Sequence, residues 1–187
     1  MTRTLTILLL GLLSACMTLP GSDAPVFDRY TLKGPEESCA GGGEPLVLAV
    51  ARVNVGLDSD RIARIDSDTG EISYLKDVRW ADQADIMVEQ RLARDLECEG
   101  FTVLSSHHHK LGQDQLICEL RALNLVRSGS VNEAEVGLSC LLYRDGEELP
   151  VVTNQRVRLD RWSATSAVSA MSAAYQAALS ELLDALR

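Results

Sequence analysis

The residue pattern encodes an α+β domain: a mostly antiparallel sheet with two amphipathic helices packed on one face. Three features carry that reading. Short runs that alternate apolar and polar residues recur between turn-forming dipeptides, as half-buried strands do. Two longer segments, 83–99 and 163–186, place apolar residues at steps of three and four, the period of a helix with one buried stripe. A length of 187 residues with 46% apolar content supports one core of ordinary size. The net charge of -9, with no block of Lys or Arg, speaks against nucleic acid as a partner, because neutralising phosphates needs clustered cations. Aromatic content is 4%, so the core must be aliphatic, and neither a base-stacking platform nor an aromatic sugar cleft is expected.

The chain opens on an export signal. Arg3 precedes an apolar run at 5–13, far shorter than the roughly 20 residues that a helix needs to cross a bilayer, which sets aside a permanent span. Leu13-Ser14-Ala15-Cys16 looks like the bacterial lipobox, in which the cysteine is acylated and becomes the mature N-terminus. The expected organisation is a signal peptide at 1–15, a lipid-anchored tether at 16–25 and one domain at 26–187. Several acyl chains at about 0.8 kcal/mol per buried methylene hold such a protein on a membrane without a basic patch. Met17 stands where lipoproteins kept at the inner membrane typically carry Asp, which favours the periplasmic face of an outer membrane.

Along the domain, 26–32 alternates like a short strand, and 34–45 with Gly41-Gly42-Gly43 is a loop before a strand at 46–55. That loop precedes a strand and ends in Glu44-Pro45, so it lacks the helix and the Lys or Ser/Thr that cradle a phosphate. Segments 61–66 and 71–76 flank Ser67-Asp68-Thr69-Gly70 and form a hairpin. A calcium loop beginning at Asp66 would want a further acidic ligand and Glu in twelfth place, where Asp77 stands. Asp82 is a suitable N-cap for the helix at 83–99, Asp85 meets its dipole, Ala84, Val88, Leu92 and Leu96 form its stripe, and Gly100 ends it. A strand at 102–105 and a His107-His108-His109 loop lead to three longer strands. The last helix, capped by Ser163, repeats Ala164, Val168, Met171, Tyr175, Ala178, Leu182 and Ala185. This stripe suits one long helix over a sheet better than a partner-helix surface.

The hairpins set a cysteine pairing. Asp145-Gly146 is a two-residue turn that puts Leu142 opposite Leu149 and Cys140 opposite Val151. A loop centred on Gly129 then sets Leu120 opposite Leu138 and Cys118 opposite Cys140, on the buried face with Leu116, Val136 and Leu142. In an exported domain this predicts a Cys118–Cys140 disulfide, and by elimination a Cys39–Cys98 one. The competing reading is that Cys118 and Cys140 are reduced core residues.

One block carries a likeness: Gly56-Leu57-Asp58-Ser59-Asp60-Arg61-Ile62-Ala63, then Gly70-Glu71-Ile72-Ser73-Tyr74-Leu75, then Arg79-Trp80-Ala81-Asp82. It resembles the ABC-type transport auxiliary lipoprotein family, to which the paraquat-inducible lipoproteins of PqiC type belong, and the likeness extends over roughly 27–186. The cysteines and the histidine tract depart from the family pattern. The resemblance implies a noncatalytic accessory subunit of an envelope transport system. Its implied partners are an MCE-type substrate-binding protein and inner-membrane transporter components, its implied cargo phospholipids or other apolar molecules. Self-association is left open. Physically, Tyr74, Arg79, Trp80 and Asp82 gather where the hairpin feeds the first helix, with Arg79 able to stack on a ring or pair with Asp82. They either lock the start of that helix or form a docking surface for a partner.

No Gly-x-Ser-x-Gly, His-Glu-x-x-His or Cys-x-x-Cys motif occurs, so no enzyme activity, cofactor or metal site is expected. Three adjacent histidines cannot converge on one well-shaped metal site, and a solvated loop is their simpler reading. The rival function is an outer-membrane assembly or cell-wall-enzyme-activating lipoprotein of similar architecture. Direct carriage of lipid in a pocket between sheet and helices is a third.

Overall fold

The computed structural model describes residues 26–34, 39, 41–52, 59–105 and 113–187. The export signal, Cys16, the tether, residues 53–58 and the His107 to His109 tract lie outside the described residues. Within them the chain runs through β1 (Asp28–Tyr30), β2 (Pro45–Arg52), β3 (Arg61–Asp66), β4 (Ile72–Trp80), α1 (Ala84–Cys98), β5 (Thr102–Ser105), β6 (Asp114–Ser128), β7 (Val131–Arg144), β8 (Glu147–Arg158) and α2 (Ala164–Leu186).

The fold is α+β as expected, and its sheet is mixed: the longest ladders are antiparallel, and parallel pairs join the remaining strands. Antiparallel pairs are β3 with β4, β6 with β7 and β7 with β8. Those strands are joined by tight turns, and a tight turn can only reverse the chain. The parallel pairs, β1 with β4, β2 with β5, β2 with β6 and β3 with β6, join strands distant in sequence, where local turn chemistry is silent.

Strand β6 is the spine. β7 follows one of its edges from Gln115↔Tyr143 to Ser128↔Val131. The other edge is shared: β2 takes it from Leu46↔Asp114 to Arg52↔Leu120, and β3 from Arg64↔Leu125 to Asp66↔Arg127. The sheet therefore forks, and a bulge lies at the fork. Leu120 pairs with Leu138 and Ala122 with Gly137, which leaves Arg121 as the extra residue. Across it the buried positions of β6 change parity, from Leu116, Cys118 and Leu120 to Leu123 and Leu125, while β7 keeps Ala134, Val136, Leu138, Cys140 and Leu142 inward.

That bulge corrects the expected turn and preserves the expected pairing. The connection is a two-residue turn, Gly129-Ser130, with Gly129 at φ 56°, and not a loop centred on Gly129. Without a bulge this turn would have placed Cys118 opposite Leu141. The extra residue returns it to Cys140, and the two sulfurs are bonded, with Cα atoms 4.0 Å apart. Cys39 is bonded to Cys98, Cα atoms 4.8 Å apart, and this fixes the glycine-rich loop to the end of α1. The loop is held further by Gly43 N–H donating to Gly100 O and Thr102 N–H donating to Glu44 O.

Helix α1 starts one residue later than its sequence signal. Its N-cap is Gln83, and Asp82 Oδ1 accepts from the Gln83 N–H at 2.7 Å instead of capping the first turn. Gly100, at φ 99°, supplies the left-handed turn that ends it. Ser163 caps α2 as expected, its hydroxyl accepting from Ser166 N–H at 3.0 Å. Of the α2 stripe, Val168, Met171, Tyr175, Ala178 and Leu182 are buried, whereas Ala185 is exposed and Leu186 is buried in its place. Both helices lie on one face and share one core, and Tyr175 O–H of α2 donates to Asp95 of α1 at 2.9 Å. Burial, followed by the Asp95 charge, pushes the Tyr175 phenol well above its ordinary value, so it is a permanent donor here.

Candidate interaction site at the sheet edge

The register of three strands builds one surface. β4 lies between β1 and β3, with Arg29 opposite Arg79 on one side and Arg61 opposite Arg79 on the other. Strand alternation turns Val78 and Trp80 inward and Arg79 outward, so three arginines form one cross-strand row. Like charges at such spacing repel. The structure offsets this in two ways. Asp60 lies between two of them, its Oδ1 3.7 Å from Arg79 Nε and its Oδ2 3.9 Å from Arg29 Nη1. Aromatic faces take the guanidinium planes: Arg79 lies over Phe27 at 4.1 Å and Arg61 over Tyr74 at 3.8 Å, measured to the ring centroids. Arg79 Nη1 also donates to Val78 O at 3.0 Å, and Arg29 Nη1 to Ala81 O at 3.3 Å.

The four residues singled out by the sequence divide here. Arg79 and Tyr74 belong to the row. Arg79 stacks on a ring as expected, but its carboxylate partner is Asp60 and not Asp82, because Asp82 turns to the Gln83 N–H. Trp80 is removed from the docking candidates. Its side chain is fully buried in the core, and its backbone N–H donates to Asp60 O at 2.6 Å. Sequence reasoning missed Arg29, Asp60, Arg61 and Phe27 as members of the site. Arg61 and Asp60 stood within the quoted block, and the β3–β4 ladder brings them to Arg79; only the parallel pairing of β1 with β4 shows that Arg29 and Phe27 join them.

With side-chain exposures of 57% at Arg29 and 16% at Arg79, the row has an accessible end and a fixed centre. Chemically it presents planar N–H donors, with a ring against one face of Arg61 and of Arg79. Such edges suit carboxylates of a partner and offer no nucleophile or acid–base pair.

Two solved structures are similar to this chain. A crystal structure of an uncharacterized protein is 14% identical, with a TM-score of 0.70 over 87% of this chain and 99% of the other. The Xanthomonas campestris protein XCC0632 is 18% identical, with a TM-score of 0.64 over 85% of this chain and 90% of that one. At these identities the likeness is one of fold. Comparison with curated proteins gives no match. The family model described as ABC-type transport auxiliary lipoprotein component matches residues 30–186, which take in β3, β4, Arg61, Arg79 and both helices, and the chain belongs to that family.

Proposed function

We propose that the protein is a noncatalytic, lipid-anchored accessory subunit of an MCE/ABC-type intermembrane transport system, working in the periplasm from the outer membrane. Phospholipids or other apolar molecules are its cargo. Family membership supports the transport association, and the lipobox at Cys16 supports the anchor. The observation that carries the docking role is the Arg29–Arg79–Arg61 row, a structured cationic edge on a chain of net charge -9. In this reading the anchor holds the domain at the membrane while the row engages carboxylates of the MCE-type partner.

The test is co-purification of the MCE-type protein from membranes with Arg29→Ala/Arg61→Ala. Both residues are exposed, so the melting temperature should stay close to that of the wild type. Loss of the partner at unchanged stability is the expected result, with weaker capture in high salt. Undiminished capture in low salt refutes the row as the docking surface.

A further inference from the structure

A cleft of about 580 Å³ opens between residues 31–34, which leave β1, and the face of α1 that carries Met87, Gln90, Arg91 and Arg94. Its charged lining among the described residues is Lys33, Arg91 and Arg94. Lys33 and Arg94 are exposed, whereas Arg91 is only 8% exposed and is held from behind. Its Nε donates to Asp95 Oδ2 at 3.0 Å and its Nη2 to Asp95 Oδ1 at 2.5 Å, while Tyr175 O–H donates to the same carboxylate. Asp95 thus offsets Arg91 and fixes its plane, leaving the two rim cations without a counter-charge in the lining described.

The other side of the guanidinium bears on Gly34. A Cβ there would fall 1.4 Å from Arg91 Nη2 and 2.4 Å from Nη1, so any side chain at this position would push the guanidinium out of its present place. The segment is pinned as well: Lys33 N–H donates to Ser172 Oγ at 3.0 Å, and that hydroxyl donates to Val168 O. A fixed guanidinium, two longer-reaching cations and a volume within the range of small-ligand sites make a preorganised anion receptor.

We propose that this cleft binds a phosphate-type oxyanion. A planar carboxylate is satisfied by one arginine fork, whereas three cations reaching in from separate backbone positions suit a tetrahedral phosphate, whose non-bridging oxygens point in divergent directions. The source is a lipid head group or a soluble phosphate, which share that chemistry. The site uses none of the residues of the Arg29–Arg79–Arg61 row, so either proposal can fail without the other.

The test is isothermal titration of the full-length lipidated protein in a neutral maltoside detergent, with inorganic phosphate and with dihexanoylphosphatidylglycerol. The expected result is competitive binding at one site, weakened about tenfold or more by Lys33→Gln/Arg94→Gln with no change in melting temperature. Tighter binding of the lipid assigns the site to a head group, and equal binding assigns it to a soluble phosphate. Should the double variant lower the melting temperature, either single variant, at an exposed position, gives the same readout. Wild-type affinity in these variants, or no binding of either probe at millimolar concentration, overturns the proposal.

Discussion

Arg79 and Trp80 are neighbours in sequence and occupy opposite environments. Trp80 fills the core, and Arg79 lies outside it between two further arginines. Trp80→Ala should therefore cost roughly 3–5 kcal/mol in denaturant unfolding, as truncation of a large buried aromatic does, and act on partner capture only through stability. A stable Trp80→Ala protein that loses its partner would contradict this. Asp66 shows the other kind of residue effect. Arg127 grips its carboxylate through Nε at 2.9 Å and Nη2 at 2.6 Å, and the Asp68 and Thr69 N–H groups donate to it at 3.1 Å. The Arg127 guanidinium foremost, then these turn amides, hold its pKa below the ordinary carboxylate value of 3.8. A group depressed in the folded state adds stability above its unfolded pKa and loses it as pH falls through the folded one. Stability should fall below about pH 4 in the wild type, and Asp66→Asn should flatten that part of the curve. An unchanged acid limb would show that Asp66 contributes nothing to it.

At the scale of elements, the legible parts are those specified locally. The Asp145-Gly146 turn, with φ of 53° and 82°, fixed the β7–β8 register as its residues demand. The α1 stripe of Ala84, Val88, Leu92 and Leu96 is buried throughout. Parallel pairing was not legible, because Arg29↔Arg79 and Leu46↔Asp114 depend on crossovers that no dipeptide encodes. The Arg121 bulge was only half legible. Leu123-Asn124-Leu125 alternates on odd positions where Leu116, Cys118 and Leu120 alternate on even ones, but only the partner strand shows which residue is the extra one. Deleting Arg121 tests its role directly. Removing the extra residue should leave a regular ladder in which Leu120↔Leu138 follows directly on Ala122↔Gly137, so the Cys118–Cys140 bond should survive in non-reducing peptide mapping. Loss of that bond in a folded protein would mean that Arg121 is not the extra residue.

For the whole molecule, the envelope reading makes the anchor as consequential as the domain. Cys16→Ser should block acylation, leaving the precursor uncleaved or the protein released from the membrane. Detergent-phase partitioning that survives the replacement contradicts an anchor at this cysteine. The edges of the sheet are relevant to a protein concentrated on a surface. Among the described residues β8 pairs only with β7, and the alternation set by its hairpin directs the nitrogen of Pro150 away from β7, so that edge lacks an N–H there. Proline at that place blunts strand-to-strand association.

The fork at β6 has a consequence for the order in which the molecule comes together. Residues 114–187 form β6, β7, β8 and α2 through short connections, and their ladders are the longest in the sheet. The branches β2–β5 and β3–β4–β1 attach to one edge of that unit through contacts between residues far apart in the chain, which carry the larger closure entropy. The C-terminal meander is then expected to form first, with the earlier strands condensing on it. Amide exchange in the native protein should find the slowest hydrogens where β6 pairs with β7, while β1 and β5 at the tips of the two branches open first. The arginine row stands on one of those tips, so a partner that clasps it closes the part of the protein that breathes most.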